Sequence, residues 1–393
     1  MVTVNPAAPN PVVLDRADAV PAAGSAVGTV AVDPISDPRW HALATSRAFG
    51  PGVGLFTSPP WLAAVCGTYG FTASARVAVD AAGRPTGGFA WVDVEDPRGR
   101  RRLSLPFSDR ADPPVPDTAT WDLLNDAAGG DTASGDIPFT DVPFTLRCLA
   151  GSPAAAGAGL QVAGEAAWHG TPLRDDGVAL DVDALHRRIH SQSRRNVAAA
   201  ERSGVRVEVR DDLAAVQVMH GLHVRLRKGK YGLLAQPREF FELIWQEFDG
   251  RCVTLLASLP DADGADEVVA AALFLEWNGA LYYKFGASVP ERLHARPNDA
   301  IYWTGIRLAV DRGLDLVDWG LSDLDQPGLV RFKRKWATDE HRLLTLRSGT
   351  PRPGPGAREF GDALSGLTGL LTDPAVPDAI TERAGALLYR YFC

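Results

Sequence analysis

Cysteine is scarce in this chain, and its spacing argues against the sites that cysteine usually builds. Cys66, Cys148, Cys252 and Cys393 are far apart and form no CxxC pair. A disulfide framework or a cysteine-based structural zinc site is therefore not expected, and a reduced intracellular setting fits the pattern.

Long apolar runs are also missing. No segment approaches the roughly 20 apolar residues that a membrane helix needs. The first thirty residues are interrupted by Asp15, Arg16 and Asp18 and lack the basic start and continuous apolar stretch of a signal peptide. We therefore expect a cytoplasmic protein without a membrane span, and we interpret residues 1–30 as a flexible tail.

The motifs of covalent and metal-dependent catalysis are absent as well. The sequence contains no Gly-x-Ser-x-Gly, and no cysteine lies in a recognisable nucleophile motif. His186/His190 and His220/His223 have the spacing of metal ligands on a helix face, but neither pair has an HExxH glutamate or a third ligand nearby. We expect no metal, and we expect any group transfer to proceed by direct attack.

The composition is that of a globular protein, with 46% hydrophobic and 22% charged residues. The net charge is −8, yet eleven Lys/Arg against four Asp/Glu between Arg187 and Lys230 make a local charge of +7 and leave −15 for the rest. A basic surface of this kind suits a phosphate-bearing partner.

A chain of 393 residues predicts two domains, and a repeated order of elements supports that division. A helix over Trp61–Tyr69, begun by Ser58, is followed by strands at Ala73–Val79, Gly88–Val94 and Arg102–Phe107. A similar order returns about 180 residues later, a spacing that favours domain duplication over a solenoid. The later elements are a helix after Gln236-Pro237 and strands at Cys252–Ser258, Val268–Trp277 and Ala280–Gly286, the last two joined by the hairpin signal Asn278-Gly279.

Alternating helices and strands follow this second meander. The pattern predicts a helix after Pro297-Asn298-Asp299, a buried strand at Leu314–Trp319, a helix at Gly328–Trp336 and a strand at His341–Arg347. We predict an α/β (α+β) mixed sheet with helices on both faces. The expected domains are residues 31–175 and 176–350, followed by a Pro/Gly linker at Pro351–Gly356 and a C-terminal helical segment within 351–393.

Several motifs in the second half occur in an order and spacing typical of one enzyme family. They are Ser193-Arg194-Arg195-Asn196, Ala200-Glu201-Arg202-Ser203-Gly204-Val205, Tyr283-Lys284-Phe285-Gly286-Ala287-Ser288, Arg296-Pro297-Asn298-Asp299, Asp318-Trp319-Gly320 and Gly328-Leu329-Val330-Arg331-Phe332-Lys333-Arg334. With these motifs the chain resembles the GNAT-like acyltransferases of the Fem type, including the branch described as cellulose-biosynthesis-associated acetyltransferases. Leu105-Pro106-Phe107-Ser108-Asp109 also resembles that branch, and the likeness spans roughly residues 31–350.

The resemblance implies two tandem GNAT-like domains that transfer an acyl or aminoacyl group to a primary amine. It implies acyl-CoA or aminoacyl-tRNA as donor, with tRNA as a partner in the second case. It also implies a small-molecule amine or a cell-envelope or polysaccharide precursor as acceptor. In Fem-type enzymes the lysine of the Phe-Lys pair assists the transfer, and that role would fall on Lys333.

Acyl transfer to an amine needs a group that stabilises negative charge on the carbonyl oxygen and a group that receives a proton. Lys333, beside apolar residues, is our candidate for the first role, and a solvated helix face is the alternative. Asp109, at the end of a strand and before a Pro-rich loop, is our candidate for the second, and a turn-forming aspartate is the alternative.

Basic side chains predict where a phosphorylated donor binds, because guanidinium groups suit bidentate contacts with phosphate. Ordinary surface charge is the alternative for each of them. The candidate donor-binding residues are Arg194, Arg195, Arg202, Lys228, Lys230 and Arg331. The candidate acceptor-channel residues, for which core packing is the alternative, are Phe332, Tyr283, Arg296, Asn298 and Trp303.

One feature keeps a second functional class open. Arg47-x-x-Gly50-x-Gly52 fits the pyrophosphate loop of acyl-CoA enzymes but precedes the first meander, whereas that loop should follow a meander and open a helix. Residues 287–299 contain no glycine-rich turn. A non-catalytic GNAT-like protein that binds a phosphorylated ligand or an assembly partner is therefore the alternative to an N-acyltransferase.

Overall fold

The computed structural model describes residues 26–50, 54–129, 142–260, 264–348 and 354–393. The strands are β1 Gly28–Val32, β2 Ala73–Val79, β3 Pro85–Asp96, β4 Gly99–Leu103, β5 Phe144–Leu149, β6 Leu160–Pro172, β7 Arg174–Asp175, β8 Val178–Ala179, β9 Arg206–Arg210, β10 Cys252–Pro260, β11 Asp266–Trp277, β12 Ala280–Ser288, β13 Leu316–Asp323 and β14 Asp339–Ser348. The helices are α1 Pro38–Ala44, α2 Pro59–Tyr69, α3 Thr118–Gly129, α4 Val182–Arg188, α5 Ser191–Arg202, α6 Leu213–Tyr231, α7 Arg238–Phe248, α8 Pro297–Asp311, α9 Pro327–Lys333, α10 Ala357–Leu371 and α11 Asp378–Leu388.

Local sequence signals explain where several elements begin and end. The Ser58 hydroxyl accepts a hydrogen bond from the Trp61 backbone N–H and caps α2, as expected for Ser followed by two prolines. Asn278 and Gly279 take positive φ values of 45° and 78° in the turn between β11 and β12. This confirms the predicted hairpin.

Other boundaries differ from the sequence-based expectation. Residues 28–30, expected in the flexible tail, belong to β1, because Gly28–Val32 pairs antiparallel with β2 and completes its edge. The strand predicted at Arg102–Phe107 ends at Leu103, after which the chain leaves the sheet. The strand predicted at Leu314–Trp319 begins at Leu316 and continues to Asp323. Residues 351–353 of the predicted linker lie outside the described residues.

Twelve strands form one continuous sheet in the order β1-β2-β3-β4-β5-β14-β6-β13-β12-β11-β10-β9, and β7 pairs with β8 separately. The middle of this sheet exchanges strands between the two halves of the chain. β14, from the end of the second half, lies between β5 and β6, where Leu344 is paired with Cys148 and with Glu165. β6, from the first half, pairs with β13. Each half therefore completes the hydrogen bonding of the other.

Alternation along the strands places separate cores on the two faces of the sheet. Cys252 and Leu256 of β10 join a core that also contains Trp61 of α2 and Phe240 of α7. The Trp61 and Phe240 rings meet edge to face at 5.6 Å between centroids. Residues of α1, α2, α6 and α7 thus share one core across both halves, and each fully buried aromatic side chain contributes about 1.5–3 kcal/mol.

The opposite face carries one helix layer for each half. Trp121 and Leu124 of α3 pack against the first-half strands. Ile301 and Ile306 of α8, together with Val197 of α5, pack against β10 to β13. This arrangement, helices on both faces of a mixed sheet, is the predicted fold class.

The C-terminal segment, α10 and α11, is tied to both halves. Lys228 of α6 donates to Asp378 at 2.9 Å, and Arg238 of α7 donates to Glu382 at 3.0 Å. Arg101 of β4 donates to the Cys393 carbonyl at 3.0 Å. None of the helices within the described ranges is both long and apolar enough to cross a lipid bilayer.

The strand exchange predicts that the two halves do not fold alone. Fragments 1–175 and 176–393 expressed separately should aggregate or remain unfolded, because β5 and β6 then expose unpaired edges to solvent. Co-expressed fragments should copurify as a 1:1 complex on size-exclusion chromatography. Two separate monomers, each with its own cooperative thermal unfolding, would contradict this interpretation of the sheet.

Candidate active site

The candidate site lies where the parallel strands β12 and β13 separate. Their pairing covers three positions and ends at Tyr282 opposite Asp318. Beyond that point β12 continues beside β11, whereas β13 continues beside β6 and shifts its register after Asp318. Gly320 occupies the shift with φ of +71°, a conformation that glycine adopts without cost. The two strands therefore diverge and open a gap.

A loop from the first half enters this gap. The Ser104 N–H donates to Thr145 O and the Ala111 N–H donates to Arg147 O, both at 2.7 Å. The two acceptors are two residues apart on β5, whereas the two donors, Ser104 and Ala111, are seven residues apart in the chain. Residues 105–110 must therefore project out of the sheet. Phe107 in this projection has a positive φ of 59°. The projecting loop carries Asp109 into the second half.

Lys333 reaches the same point from α9. Its Nζ donates to Leu321 O at 2.6 Å, and the residue is 6% exposed. A Cβ built on Gly320 would lie 2.5 Å from Asp109 Oδ2 and 3.8 Å from Lys333 Nζ. The two predicted catalytic residues, separated by 224 positions in the sequence, thus flank one glycine.

Further charged side chains lie next to Asp109 and Lys333, and their positive and negative charges alternate. Lys284 Nζ donates to Asp109 Oδ1 at 2.8 Å. Asp318 Oδ2 accepts from Trp168 Nε1 at 2.9 Å and from Arg110 Nη2 at 3.5 Å, and Arg110 Nη1 donates to an Asp112 oxygen at 3.1 Å. We refer to this set as the charge chain, which consists of Lys284, Asp109, Lys333, Asp318, Arg110 and Asp112.

Burial and neighbouring charges set the protonation states in the charge chain. Burial lowers the pKa of Lys333 to about 8, although Asp109 and Asp318 oppose the shift. Burial alone would raise the pKa of Asp109, but the charges of Lys284, Lys333 and Arg147 outweigh it and hold that pKa below its ordinary value. At pH 7 the Lys333 ammonium and the Asp109 carboxylate therefore predominate, as a hydrogen-bond donor and a proton acceptor.

A cavity of about 490 Å³, lined mostly by first-half residues, adjoins the charge chain. Arg110 and Asp112 belong to both the cavity wall and the charge chain. None of the predicted acceptor-channel residues lines this cavity. Its walls are formed by Ala48, Phe49, Arg110, Asp112, Pro113, Val115, Pro116, Leu149, Ala150, Gly151, Ser152, Pro153, His341 and Arg342.

The structure separates the predicted donor-binding residues into two groups. Arg194 donates to Ile189 O at 2.7 Å and to Arg187 O at 3.1 Å, so its guanidinium caps the backbone carbonyls at the C-terminal end of α4. Lys228 is buried and its ammonium binds Val376 O and Asp378. These two side chains have structural partners. The other four, Arg195, Arg202, Lys230 and Arg331, are exposed.

The exposed arginines of α5 lie near α9. Lys335 O, just after α9, accepts from the His190 N–H at 3.0 Å and from Ser193 Oγ at 3.2 Å. The first turn of α5 is therefore held against the segment that carries Lys333. Arg195 follows in the next turn, and Arg202 lies at the end of the helix.

The predicted acceptor-channel residues lie around α8. Tyr283 and Phe332 both pack on Tyr302, with ring centroids 5.0 and 5.2 Å away. Trp303 is buried beside His186. Two further predicted residues lie near the start of α8: Arg296 precedes it with a positive φ of 64°, and Asn298 donates to Ser288 Oγ at 3.4 Å.

Sequence reasoning missed four members of the charge chain, Lys284, Arg110, Asp112 and Asp318, and it missed Gly320 between Asp109 and Lys333. In the sequence, Lys284 and Asp318-Trp319-Gly320 stand out only as parts of family motifs. The available signal was that Lys284 is the sole charged residue in the apolar strand β12.

Two other sequence patterns have structural explanations. Arg47 of the Arg-x-x-Gly-x-Gly match binds Asp315 at 2.7 Å, and Gly52 lies outside the described residues. The rings of His220 and His223 both bond to Gln236. In the part of the chain that the structure describes, no three His, Cys, Asp or Glu side chains are grouped to hold a metal ion.

One protein-family model matches the second half of the chain. Residues 186–334 match the family model described as an acetyltransferase (GNAT) domain. The second half of the chain contains a GNAT domain. The predicted GNAT-superfamily transferase is thereby confirmed, and the matched residues include Lys284, Asp318 and Lys333 of the charge chain.

Solved structures extend the likeness to the first half. A crystal structure of FemX superposes with a TM-score of 0.62 at 15% identity, covering 80% of this chain and 96% of its own. This confirms the predicted Fem-like fold around the GNAT domain. The L-PGS structure from Bacillus licheniformis (12% identity, 87% and 99% covered, TM-score 0.46) and a tandem GNAT protein from the clavulanic acid biosynthesis pathway (15%, 82% and 99%, 0.43) are more distant. No curated protein matches the chain.

Two glycines provide a matched test of the site geometry. Gly313 and Gly320 have positive φ values of 66° and 71°, but only at Gly320 would a Cβ meet other atoms. Gly313→Ala should lower the free energy of unfolding by about 1 kcal/mol, the cost of a left-handed alanine. Gly320→Ala should cost roughly 3 kcal/mol because it also displaces the Asp109 carboxylate. Urea denaturation measures both, and equal losses would contradict the described contact.

Proposed function

We propose that the chain is an N-acyltransferase that moves an acyl or aminoacyl group from a phosphorylated carrier to an amine by direct attack. The observation that carries the proposal is the convergence of Lys333 and Asp109 on Gly320, where β12 and β13 diverge. One group is a cation with N–H donors and the other an anion that accepts protons. Acyl transfer to an amine needs this pair.

The two side chains have complementary tasks in the proposed reaction. The amine nitrogen forms a bond to the donor carbonyl carbon, and Asp109 receives the proton that the nitrogen loses. Lys333 stabilises the negative charge that develops on the carbonyl oxygen or on the leaving sulfur or oxygen. The bond from the carbonyl carbon to the carrier then breaks, and the leaving sulfur or oxygen takes up the proton held by Asp109, so that the carrier leaves as a thiol or a hydroxyl.

The donor is acyl-CoA or aminoacyl-tRNA, both of which carry phosphates and are made in the cytoplasm, where we place the reaction. Arg195, Arg202 and Arg331 support this assignment because they are exposed on α5 and α9, the helices around Lys333. Lys230, also exposed, extends the basic surface. The acceptor is a small-molecule amine or a cell-envelope or polysaccharide precursor, and we place its entry along Tyr283, Phe332 and the start of α8.

One observation favours a non-catalytic binding protein as the second candidate. The segment before α8 is a 3₁₀ turn over Pro290–Ala295 that contains no glycine, so it differs from the glycine-rich turn that cradles pyrophosphate. A protein of this kind would bind the phosphorylated ligand and consume none of it.

Lys333→Met distinguishes the two candidates. If Lys333 stabilises the developing charge, the variant should lower kcat by roughly 10²–10³-fold and leave donor binding largely intact. Lys335→Met, two residues away, removes the same charge outside the charge chain and should retain activity. Consumption of acetyl-CoA and of a mixed aminoacyl-tRNA pool is measured with glucosamine, putrescine and lysine as acceptors.

The outcomes separate the classes. A wild-type chain that binds CoA or tRNA but consumes neither donor supports the binding protein, and equal loss in both variants would remove Lys333 from the mechanism. The salt dependence of binding identifies the donor, since tRNA affinity falls steeply with salt when several phosphates are neutralised and CoA affinity falls less.

A further inference from the structure

Lys284 is a buried cation in an apolar strand. Its side chain is 8% exposed, and Nζ lies 4.6 Å from the Phe56 ring centroid, 5.1 Å from that of Trp61 and 5.6 Å from that of Phe285. A lysine held among aromatic faces keeps its charge only with a polar partner at the open end of the cage. That partner is Asp109 Oδ1 at 2.8 Å, with Phe107 O at 3.4 Å.

An irregularity in β12 brings this lysine to the loop. Phe274 of β11 pairs with Tyr283 and Leu273 pairs with Phe285, so Lys284 is an additional residue with no Cα partner on β11. A bulge re-aims the side chain of its extra residue. Tyr283 packs in the α8 core, whereas Lys284 turns to the opposite face, toward the projecting loop of the first half.

The two oxygens of Asp109 consequently have different neighbours. Oδ1 is held by Lys284, and Oδ2 lies on the Gly320 side, where Lys333 Nζ also lies. Lys333 donates to Leu321 O rather than to Asp109. If Lys333 were its only cationic partner, the Asp109 carboxylate would form a direct ion pair with it. The proton acceptor, Asp109, and the donor to the carbonyl oxygen, Lys333, would then neutralise each other.

We propose that Lys284 is a positioning residue that holds Asp109 by one oxygen, so that the other faces the reacting amine and Lys333 stays available to the carbonyl oxygen. This inference rests on the proposed function, in which Asp109 accepts the proton. Lys284 touches neither reactant and acts only through Asp109.

Charged groups from several elements face these two side chains. Asp109 is faced by Lys284 of β12, Lys333 at the end of α9, Arg147 of β5 and Asp318 of β13. Lys333 is faced by Asp109, Asp318, Lys284 and Asp323, and by His169 of β6. Removing the positive charge of Lys284 should therefore raise the pKa of both Asp109 and Lys333.

The test is the pH profile of kcat/KM in Lys284→Met. Loss of the positive charge raises the pKa of Asp109, so the acid limb, where the base must ionise, should move to higher pH. It also raises the pKa of Lys333, so the basic limb should move to higher pH. We expect kcat to fall roughly 10- to 100-fold, less than for loss of the base itself. Lys284→Arg keeps the charge and should restore the positions of both limbs.

The result that overturns the proposal is an active wild type with a Lys284→Met variant whose two limbs do not move, because a merely structural lysine would change only the folded fraction. If Lys284→Met does not fold, Lys284→Gln replaces it. A wild type that consumes neither acetyl-CoA nor aminoacyl-tRNA instead overturns the proposed function. The two failures are therefore distinguishable.

A second measurement does not depend on turnover. The chain has five lysines, Lys228, Lys230, Lys284, Lys333 and Lys335, so acetic anhydride labelling followed by mass spectrometry can monitor each of them. In Asp109→Asn the labelling of Lys284 should increase because its ammonium loses the carboxylate, and that of Lys335 should not change. Unchanged labelling of Lys284 would contradict the contact and the proposal with it.

Discussion

The structure depends on one carboxylate, that of Asp109, which lies between two buried lysines from the other half of the chain. A buried lysine is costly unless a counter-charge accompanies it; Asp109 binds Lys284 directly, and Asp109 and Asp318 both act as counter-charges to Lys333. Desolvation lowers the pKa of Lys333 to about 8, and the same two aspartates limit that shift. The cluster is therefore stable as an assembly and not as separate pairs.

The strand exchange brings this assembly together. β6 and β14 each lie between strands of the other half, and this places Asp318 of β13 next to Trp168 of β6. A loop that projects from the first half then reaches α9 of the second. Two independent domains joined by a flexible linker could not hold charges at hydrogen-bond distance in this way, since such contacts need a rigid junction between the two halves.

Local features of the fold could be predicted from the sequence, because their causes are local. Ser58-Pro59-Pro60 begins a helix wherever it is placed, and Asn278-Gly279 adopts positive φ values that few other residues tolerate. Family motifs correctly indicated a Fem-like GNAT fold. The strand exchange was not foreseen, since the position of β14 depends on pairing with residues nearly 200 positions away.

The site shows the same division between local and non-local causes. Lys333 is a candidate from a family motif and Asp109 from its place at the end of a strand, but their proximity follows from the projecting loop, which no periodicity reveals. Lys284 is charged in an otherwise uncharged strand, but the bulge that turns it toward Asp109 has no sequence signature. Arg194 and Lys228 are candidate phosphate-binding residues in the sequence, although in the structure backbone carbonyls accept hydrogen bonds from both of them.

The central claim, that side chains from the two halves act in one chemical step, is tested most directly by a double-mutant cycle. Asp109→Asn, Lys333→Met and the combined variant are compared by kcat/KM for donor consumption at pH 7. If both groups serve the same transition state, the combined variant should be about as slow as the slower single variant. Losses that multiply would show that the two residues act independently and would contradict a shared chemical step.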